Sequence, residues 1–332
     1  MTHALIFVDD SMPGIRRRPS GKRGWAYFDA EGQRIKDRAE IDRLNRIGLP
    51  PAYTDAWFAP NAHAHILATG IDARGRKQYR YHPDFTAERD ARKYEGCAAF
   101  GALLPLLRRR VEDDLAGRGL TAERAIASVV QLLDSGRIRV GNEAYAKNNR
   151  SFGATTLRRR HAKVTGSRLT LRFKAKSGKL SEVSMTDRRL IRFVRQMQDL
   201  PGQHLFQYLR DDGTASPVSS SDVNGYLRET MGADFTAKHF RTWRASVLAF
   251  EWLLHEQEVS TLTAMLTHVS EHLGNTPAIA RKSYIHPNLI ALAREGPGEF
   301  RKQTHLPRQT KWLSRPERGL IAWLEEQQVE AG

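Results

Sequence analysis

Pro83 separates two textures of sequence. Before it, apolar residues come in short pieces: LIFV (5–8), GWAYF (24–28), AWFA (56–59) and AHILAT (64–69). Gly, Pro, Asp and Asn lie between them, the punctuation of short sheet strands. One helical stretch, DRAEIDRLNRIG (37–48), ends at Gly48 and Pro50-Pro51. In KQYRYH (77–82), Tyr79 and Tyr81 fall on one face of a strand and Gln78, Arg80 and His82 on the other.

Beyond Pro83 the spacing becomes helical. Leu103, Leu107, Val111 and Leu115 recur at four-residue steps and end in Gly, and Ile126, Val129, Val130 and Leu133 repeat the pattern. Thr186 is the expected N-cap of a helix with a core face of Leu190, Val194 and Met197, stopping at Pro201. Residues 240–257 read as a long buried helix, and Ser314-Arg-Pro-Glu317 opens the last one with a capping-box pattern. One strand pair interrupts the helices. Leu169, Leu171 and Phe173 alternate with polar residues, and Ser177-Gly178 can turn the chain back, which places Lys176 at a hairpin turn. There is no internal repeat. The fold class expected is α+β: a small β-rich domain over 1–85 and a larger, mainly α domain over 86–332.

Charge narrows the partner. Lys and Arg number 53 against 37 Asp and Glu, a net +16 with a pI near 10.2, which points to a polyanion. Residues 1–85 carry +4 and the remainder +12, so both domains are expected to face it. Cys97 is the only cysteine, which excludes a disulfide framework and a Cys-type zinc site. The start MTHALIFVDD lacks the basic leader of a signal peptide, and no apolar stretch approaches the ~18 residues of a membrane span. A soluble, cytoplasmic protein is expected.

Taken singly, the chemically interesting residues are ordinary. Arg139 stands beside a Val-Gly-Asn turn and could simply be solvated. Lys176 at a hairpin tip could be no more than a polar turn residue. Arg241, at the start of the 240–257 helix, could lie against Trp243 or point its fork at a phosphate. Thr276 can cap a helix with Pro277 at its first position, leaving Asn275 just outside an N-terminus that suits an anion. Tyr284 follows two turns later and could be an interfacial tyrosine.

Together they form a chemical set. A phenol with a pKa near 10 needs nearby cations to become a nucleophile at neutral pH. Two guanidinium groups can neutralise the oxygens of a five-coordinate phosphorus, and a lysine can protonate a departing alkoxide. No acidic cluster or His/Cys spacing points to a metal, and no Gly-x-x-x-x-Gly-Lys-Ser/Thr loop points to nucleotide hydrolysis. Transesterification onto tyrosine is the chemistry that remains.

Five stretches in order carry a family resemblance: DARGRKQYRYH (72–82), IRVGNEAYAKNNRSFGATTL (138–157), RFKAKSG (172–178), AKHFRTW (237–243) and LGNTPAIARKSYIHP (273–287). The chain resembles the type IB DNA topoisomerases of the small poxvirus and bacterial class. The resemblance implies a β-rich domain and a catalytic domain of the tyrosine-recombinase/topoisomerase IB type, closing as a clamp on double-stranded DNA. It implies relaxation of supercoils of either sign through a 3′-phosphotyrosyl intermediate. Arg139 and Arg241 would clamp the scissile phosphate, Lys176 would protonate the 5′-oxygen, and Tyr284 would attack. Asn275 stands where the poxvirus and nuclear enzymes carry histidine, and would donate a hydrogen bond without a charge. Gln78, Tyr79 and Tyr81, with Arg76, Lys77 and Lys238, become candidate DNA contacts. The family's mode of action implies a monomer near the nucleoid that requires no nucleotide and no cofactor, Mg²⁺ at most stimulating. The alternatives are a tyrosine recombinase or integrase and a non-catalytic duplex-binding protein. Recombinases usually carry His-x-x-Arg at the second arginine, and here Lys238 occupies the position three before Arg241, with His239 one step later.

Overall fold

The structure, a computed structural model, describes residues 4–21, 24–135, 137–198, 200, 202–255 and 261–331. The chain divides into two compact units, Met1–Lys93 and Tyr94–Gly332. The first contains β1 (Ile15–Ser20), β2 (Gly24–Phe28), α1 (Arg38–Arg46), β3 (Thr54–Phe58), β4 (Ile66–Ile71) and β5 (Lys77–Tyr81). The strands form one antiparallel sheet in the order β2-β1-β3-β4-β5. Helix α1 is capped by the Asp37 side chain and followed by Gly48 at φ 64°, the left-handed conformation that glycine adopts without a Cβ penalty. Ile15, Tyr27, Leu44, Leu49 and Phe58 make its core, and the Tyr27 hydroxyl donates to Asn45 Oδ1 at 2.9 Å.

Two expectations for this unit change. The LIFV run is not a strand: Ile6 makes a single bridge to Ala64, and Phe7 is 70% exposed. The strand in its place, β1, reads IRRRPS and shows no apolar alternation. Its arginines are structural. The Arg17 guanidinium donates to the carbonyls of Leu49 (2.8 Å) and Pro50 (2.6 Å) and stacks 4.1 Å from the Trp25 ring.

Helix α2 (Pro83–Ala116) begins in the first unit and continues in the second. There follow α3 (Ala122–Asp134), α4 (Glu143–Asn149), β6 (Ala162–Thr165), β7 (Arg168–Lys174), β8 (Leu180–Met185), α5 (Arg188–Gln198), β9 (Gln207–Leu209), β10 (Ala215–Pro217) and α6 (Ser220–Met231). The chain closes with α7 (Ala237–His255), α8 (Leu262–Leu273), α9 (Pro277–Ser283), α10 (Pro287–Glu295), α11 (Gly298–Gln303) and α12 (Arg315–Ala331). Strands β7 and β8 are the expected antiparallel pair, with Leu169, Leu171 and Phe173 buried, and β6 adds a third strand. Their connection is a 3-10 turn over Lys176–Gly178 rather than a two-residue hairpin loop, with Gly178 at φ 75°. Thr186 does not cap α5. The Asp187 carboxylate does, accepting from Leu190 N at 2.8 Å, because an acceptor three residues before Leu190 reaches that free N–H. The stop expected at Pro201 lies outside the described residues.

Helix α7 is the axis of this unit, with Phe240, Trp243, Val247, Phe250 and Leu253 all buried. An ion network fixes it against its neighbours. Arg108 of α2 pairs with Asp134 of α3 (2.8 Å) and Glu317 of α12 (2.7 Å), and Trp243 Nε1 donates to Glu317 at 3.3 Å. Glu317 also closes the Ser314 capping box, accepting from Ser314 N at 2.8 Å. Removing Arg108 would strand two carboxylates, a loss of about 3–5 kcal/mol for a buried pair broken on one side.

Candidate active site

Arg139 lies on the loop from α3 to α4, and backbone contacts fix that loop on both sides. Ala154 N donates to Arg139 O and Thr155 N to Val140 O, both at 2.8 Å. Gly141 takes φ 99°, and Asn142 caps α4 by accepting from Tyr145 N. Gly153 is required here by contact: a Cβ on it would sit 2.6 Å from both Arg139 O and Gly141 Cα. One residue earlier, Phe152 N donates to Lys174 O at 2.8 Å, so the same segment anchors the end of β7. The loop of Arg139 and the turn of Lys176 are thereby built on one stretch, residues 152–155. Lys176 is exposed, and no hydrogen bond or ion pair joins it to the other four candidates among the described residues.

Arg241 sits on the first turns of α7, 4% exposed. Its Nη2 donates to the Leu273 carbonyl at 2.8 Å. That carbonyl belongs to the last turn of α8, where free backbone acceptors and the helix dipole favour a cation. Gly274 ends α8 in the left-handed conformation at φ 63°, and Asn275 N returns to Ser270 O at 2.9 Å. Asn275 is thus delivered to the site, where its Oδ1 accepts a hydrogen bond from Arg139 Nη2. An arginine has only donors, so this contact fixes which end of the amide faces it. The Nδ2 end is buried with no hydrogen-bond partner among the described residues. A buried, unmet donor costs free energy, and an anionic oxygen would satisfy it.

Thr276 caps α9 by accepting from Ile279 N at 3.3 Å, with Pro277 at the first position, as the sequence leads one to expect. Tyr284 ends that helix, its N–H on Ala280 O. The chain beyond it is tied down. Ile285 is fully buried, and His286 N donates at 3.1 Å to the Ser246 hydroxyl of α7, the helix that carries Arg241. The Arg241 guanidinium lies 5.0 Å from the centre of the half-buried Tyr284 ring.

The electrostatics follow from these placements. Burial acts to raise the Tyr284 pKa, and the charges of Arg241 and then Arg139, with hydrogen bonding from both, outweigh it, so the net direction is down from 10.0. Arg241 is pulled to about 10 by burial and then by repulsion from Arg139, with Tyr284 partly offsetting, and it stays protonated at neutral pH. The structure therefore brings Arg139, Arg241, Asn275 and Tyr284 together. It places Lys176 on a hairpin tip built on the segment that backs Arg139.

Comparison with known proteins shows the family of the chain. The family model described as "Eukaryotic DNA topoisomerase I, catalytic core" matches residues 82–293, a stretch that holds all five candidates. A second, "Bacterial DNA topoisomerase IB, N-terminal domain", matches residues 24–72. The DNA topoisomerase 1B of Acanthamoeba polyphaga mimivirus is 30% identical over 303 residues, covering 87% of this chain and 90% of its own. The chain belongs to the type IB DNA topoisomerases, which are isomerases. The vaccinia virus (strain Copenhagen) DNA topoisomerase 1B is 20% identical over 268 residues, 78% of this chain and 83% of that one. The site-specific recombinase XerH, solved with its difH substrate, overlaps 53% of this chain and 48% of its own at a TM-score of 0.34 and 14% identity, too loose a likeness to argue from.

Three of the other candidates for DNA contact in this topoisomerase are held by internal carboxylates. Arg76 and Gln78 both bond Asp72 Oδ2, with Arg76 Nη2 at 2.7 Å and Gln78 Nε2 at 3.0 Å, and Lys77 pairs with Asp10 at 2.6 Å. Tyr79 and Tyr81 share a face as expected, their rings stacked 5.8 Å apart. Tyr79 is 42% exposed, while Tyr81 packs on the Trp57 cluster. Lys238 is exposed at the start of α7. His239 is a packing residue: its ring lies against Phe235 (5.0 Å) and Phe100 (5.7 Å), and its Nδ1 accepts from Thr236 N. Sequence reasoning missed the Leu273 carbonyl, Gly153 and Ser246. Only Gly153, inside the motif SFGATT, leaves a visible signal.

Proposed function

We propose that this type IB topoisomerase relaxes supercoils by transferring a DNA strand to Tyr284 and back. The phenolate oxygen forms a bond to the 3′-phosphate while the bond to the 5′-oxygen breaks. Lys176 gives its proton to that oxygen, which leaves as a 5′-hydroxyl. Arg139 and Arg241 balance the charge on the non-bridging oxygens, and the Asn275 Nδ2 donates to one of them. After the duplex rotates, the 5′-hydroxyl attacks the phosphotyrosine and the strand is restored. The phosphodiester energy is kept in the covalent link, so no nucleotide is consumed.

The observation that carries this reading is the Tyr284 phenol, held in the field of two guanidinium groups that lower its pKa. Two fixed cations and an unmet amide donor already supply what a metal ion would otherwise bring to the phosphate. Double-stranded DNA is the substrate this implies. Tyr79, Tyr81, Gln78, Arg76, Lys77 and Lys238 would assist binding, the cations among the first group by exchanging Asp72 and Asp10 for phosphate. Binding should weaken steeply with salt as counterions are displaced.

Relaxation of plasmid supercoiled in either sense is expected in EDTA without ATP. A strict requirement for Mg²⁺ or ATP overturns the proposal. For Lys176→Ala, single-turnover cleavage is expected to slow by about 10²–10⁴-fold, the usual worth of a general acid. A substrate with sulfur at the 5′ bridging position needs no proton to leave, and should recover most of that loss. If it does not, Lys176 is not the acid.

A further inference from the structure

His268 and His272 stand four residues apart on α8, the spacing that puts two side chains on one helix face. Their ring centres are 4.4 Å apart with planes tilted by 48°. His272 Nδ1 lies 2.9 Å from the His268 carbonyl oxygen, a contact that is a hydrogen bond only when Nδ1 carries the proton. That bond leaves Nε2 with the lone pair, the way a backbone carbonyl orients a metal-binding imidazole. The His268 ring makes no hydrogen bond among the described residues, and Trp252 of α7 lies 4.6 Å from it. His272 is exposed and His268 half-buried, so an ion can approach from solvent.

We propose that His268 and His272 form a two-imidazole clip for a transition-metal cation of the Cu²⁺ or Ni²⁺ type, with water completing its coordination. An ion about 2.1 Å from each ligating nitrogen lies roughly 3.2 Å from each ring centre. With both ligating nitrogens turned to one ion, ring centres 4.4 Å apart would subtend close to a right angle there, the angle of tetragonal Cu²⁺ and Ni²⁺ sites. A tetrahedral Zn²⁺ would need the centres about 5.2 Å apart. No group of three His, Cys, Asp or Glu side chains suited to a metal occurs among the described residues, so the clip relies on these two rings. It is separate from strand transfer, which the proposed chemistry completes without it. Its place on the last turns of α8, just before the Leu273 carbonyl that holds Arg241, means a bound ion would stabilise the helix end that supports the site.

The test is a titration of the tag-free full chain with NiCl₂ or CuSO₄, read by tryptophan fluorescence and calorimetry. A saturable quench is expected, reversed by EDTA and absent with millimolar Mg²⁺, a hard ion that prefers oxygen. His268→Gln and His272→Gln should each lose one equivalent of binding or weaken it at least about tenfold, with circular dichroism unchanged. Trp252→Phe should remove most of the quench while keeping the equivalent. Equal stoichiometry and affinity in the wild type and both glutamine variants, or a full quench without Trp252, would overturn the proposal.

Discussion

Tyr284→Phe is expected to abolish relaxation, with a loss of at least about 10⁴-fold, as removal of a nucleophile causes in other covalent enzymes. Duplex binding should stay within about threefold, because the hydroxyl removed bonds Arg241 and Arg139 within the protein and the two cations remain. The substitution is well suited to this site. The ring that sits 5.0 Å from the Arg241 guanidinium is retained, and the chain beyond it remains tied through Ile285 and His286. A denaturing gel of labelled duplex should show a covalent adduct with the wild type and none with the variant. An adduct in the variant moves the nucleophile elsewhere. The wild-type cleavage rate carries a second signature. The phenolate attacks, so the rate should rise with pH as Tyr284 loses its proton. Because Arg241 and Arg139 outweigh burial, that rise should come below the ordinary phenol value of 10.0. A rate that stays flat through this range would mean the proton is lost in another way.

The sequence carried most of the framework because helix and strand periodicity, caps and turn residues are local properties. The core face of α5, the cap of α9 and the box at Ser314 could all be read from neighbours a few residues apart. Strand β1 could not, because its arginines serve carbonyls thirty residues away and mask any alternation. LIFV misled in the opposite sense: its apolar residues had no sheet partner beyond the one bridge at Ala64. The candidate site shows the same division. Arg139, Arg241, Asn275 and Tyr284 were recognisable by type and order, and their meeting is a property of the fold. What holds them was hidden. The Leu273 carbonyl is a backbone group that any residue supplies, and the Ser246 hydroxyl is one serine on a helix that reads as uniformly buried. The carboxylate on Lys77 also comes from a segment that sequence order separates, Asp10, whereas the Asp72 that holds Arg76 and Gln78 is a near neighbour in the chain.

Arg241→Ala should produce the second large loss, about 10²–10³-fold in cleavage or more, the cost of removing one preorganised donor from a charged transition state. Two effects combine. The phosphate loses a cation, and the phenol loses the first of the two charges that hold its pKa down. The variant should therefore gain more from rising pH than the wild type does. Arg241→Lys separates charge from geometry. One guanidinium nitrogen is committed to the Leu273 carbonyl at 2.8 Å, and the group also bonds the Tyr284 hydroxyl. An ammonium group offers a point charge without that division. If geometry governs, lysine should recover less than about a tenth of the wild-type rate. If charge alone governs, it should recover nearly all, and the anchoring of Arg241 to α8 has no part in catalysis. Duplex affinity and thermal unfolding must be measured alongside, since Arg241 is buried and its removal leaves the Leu273 carbonyl without its partner. A rate loss that tracks the drop in folded fraction would assign Arg241 to stability, whereas a loss at full folding and near-normal binding assigns it to the phosphate.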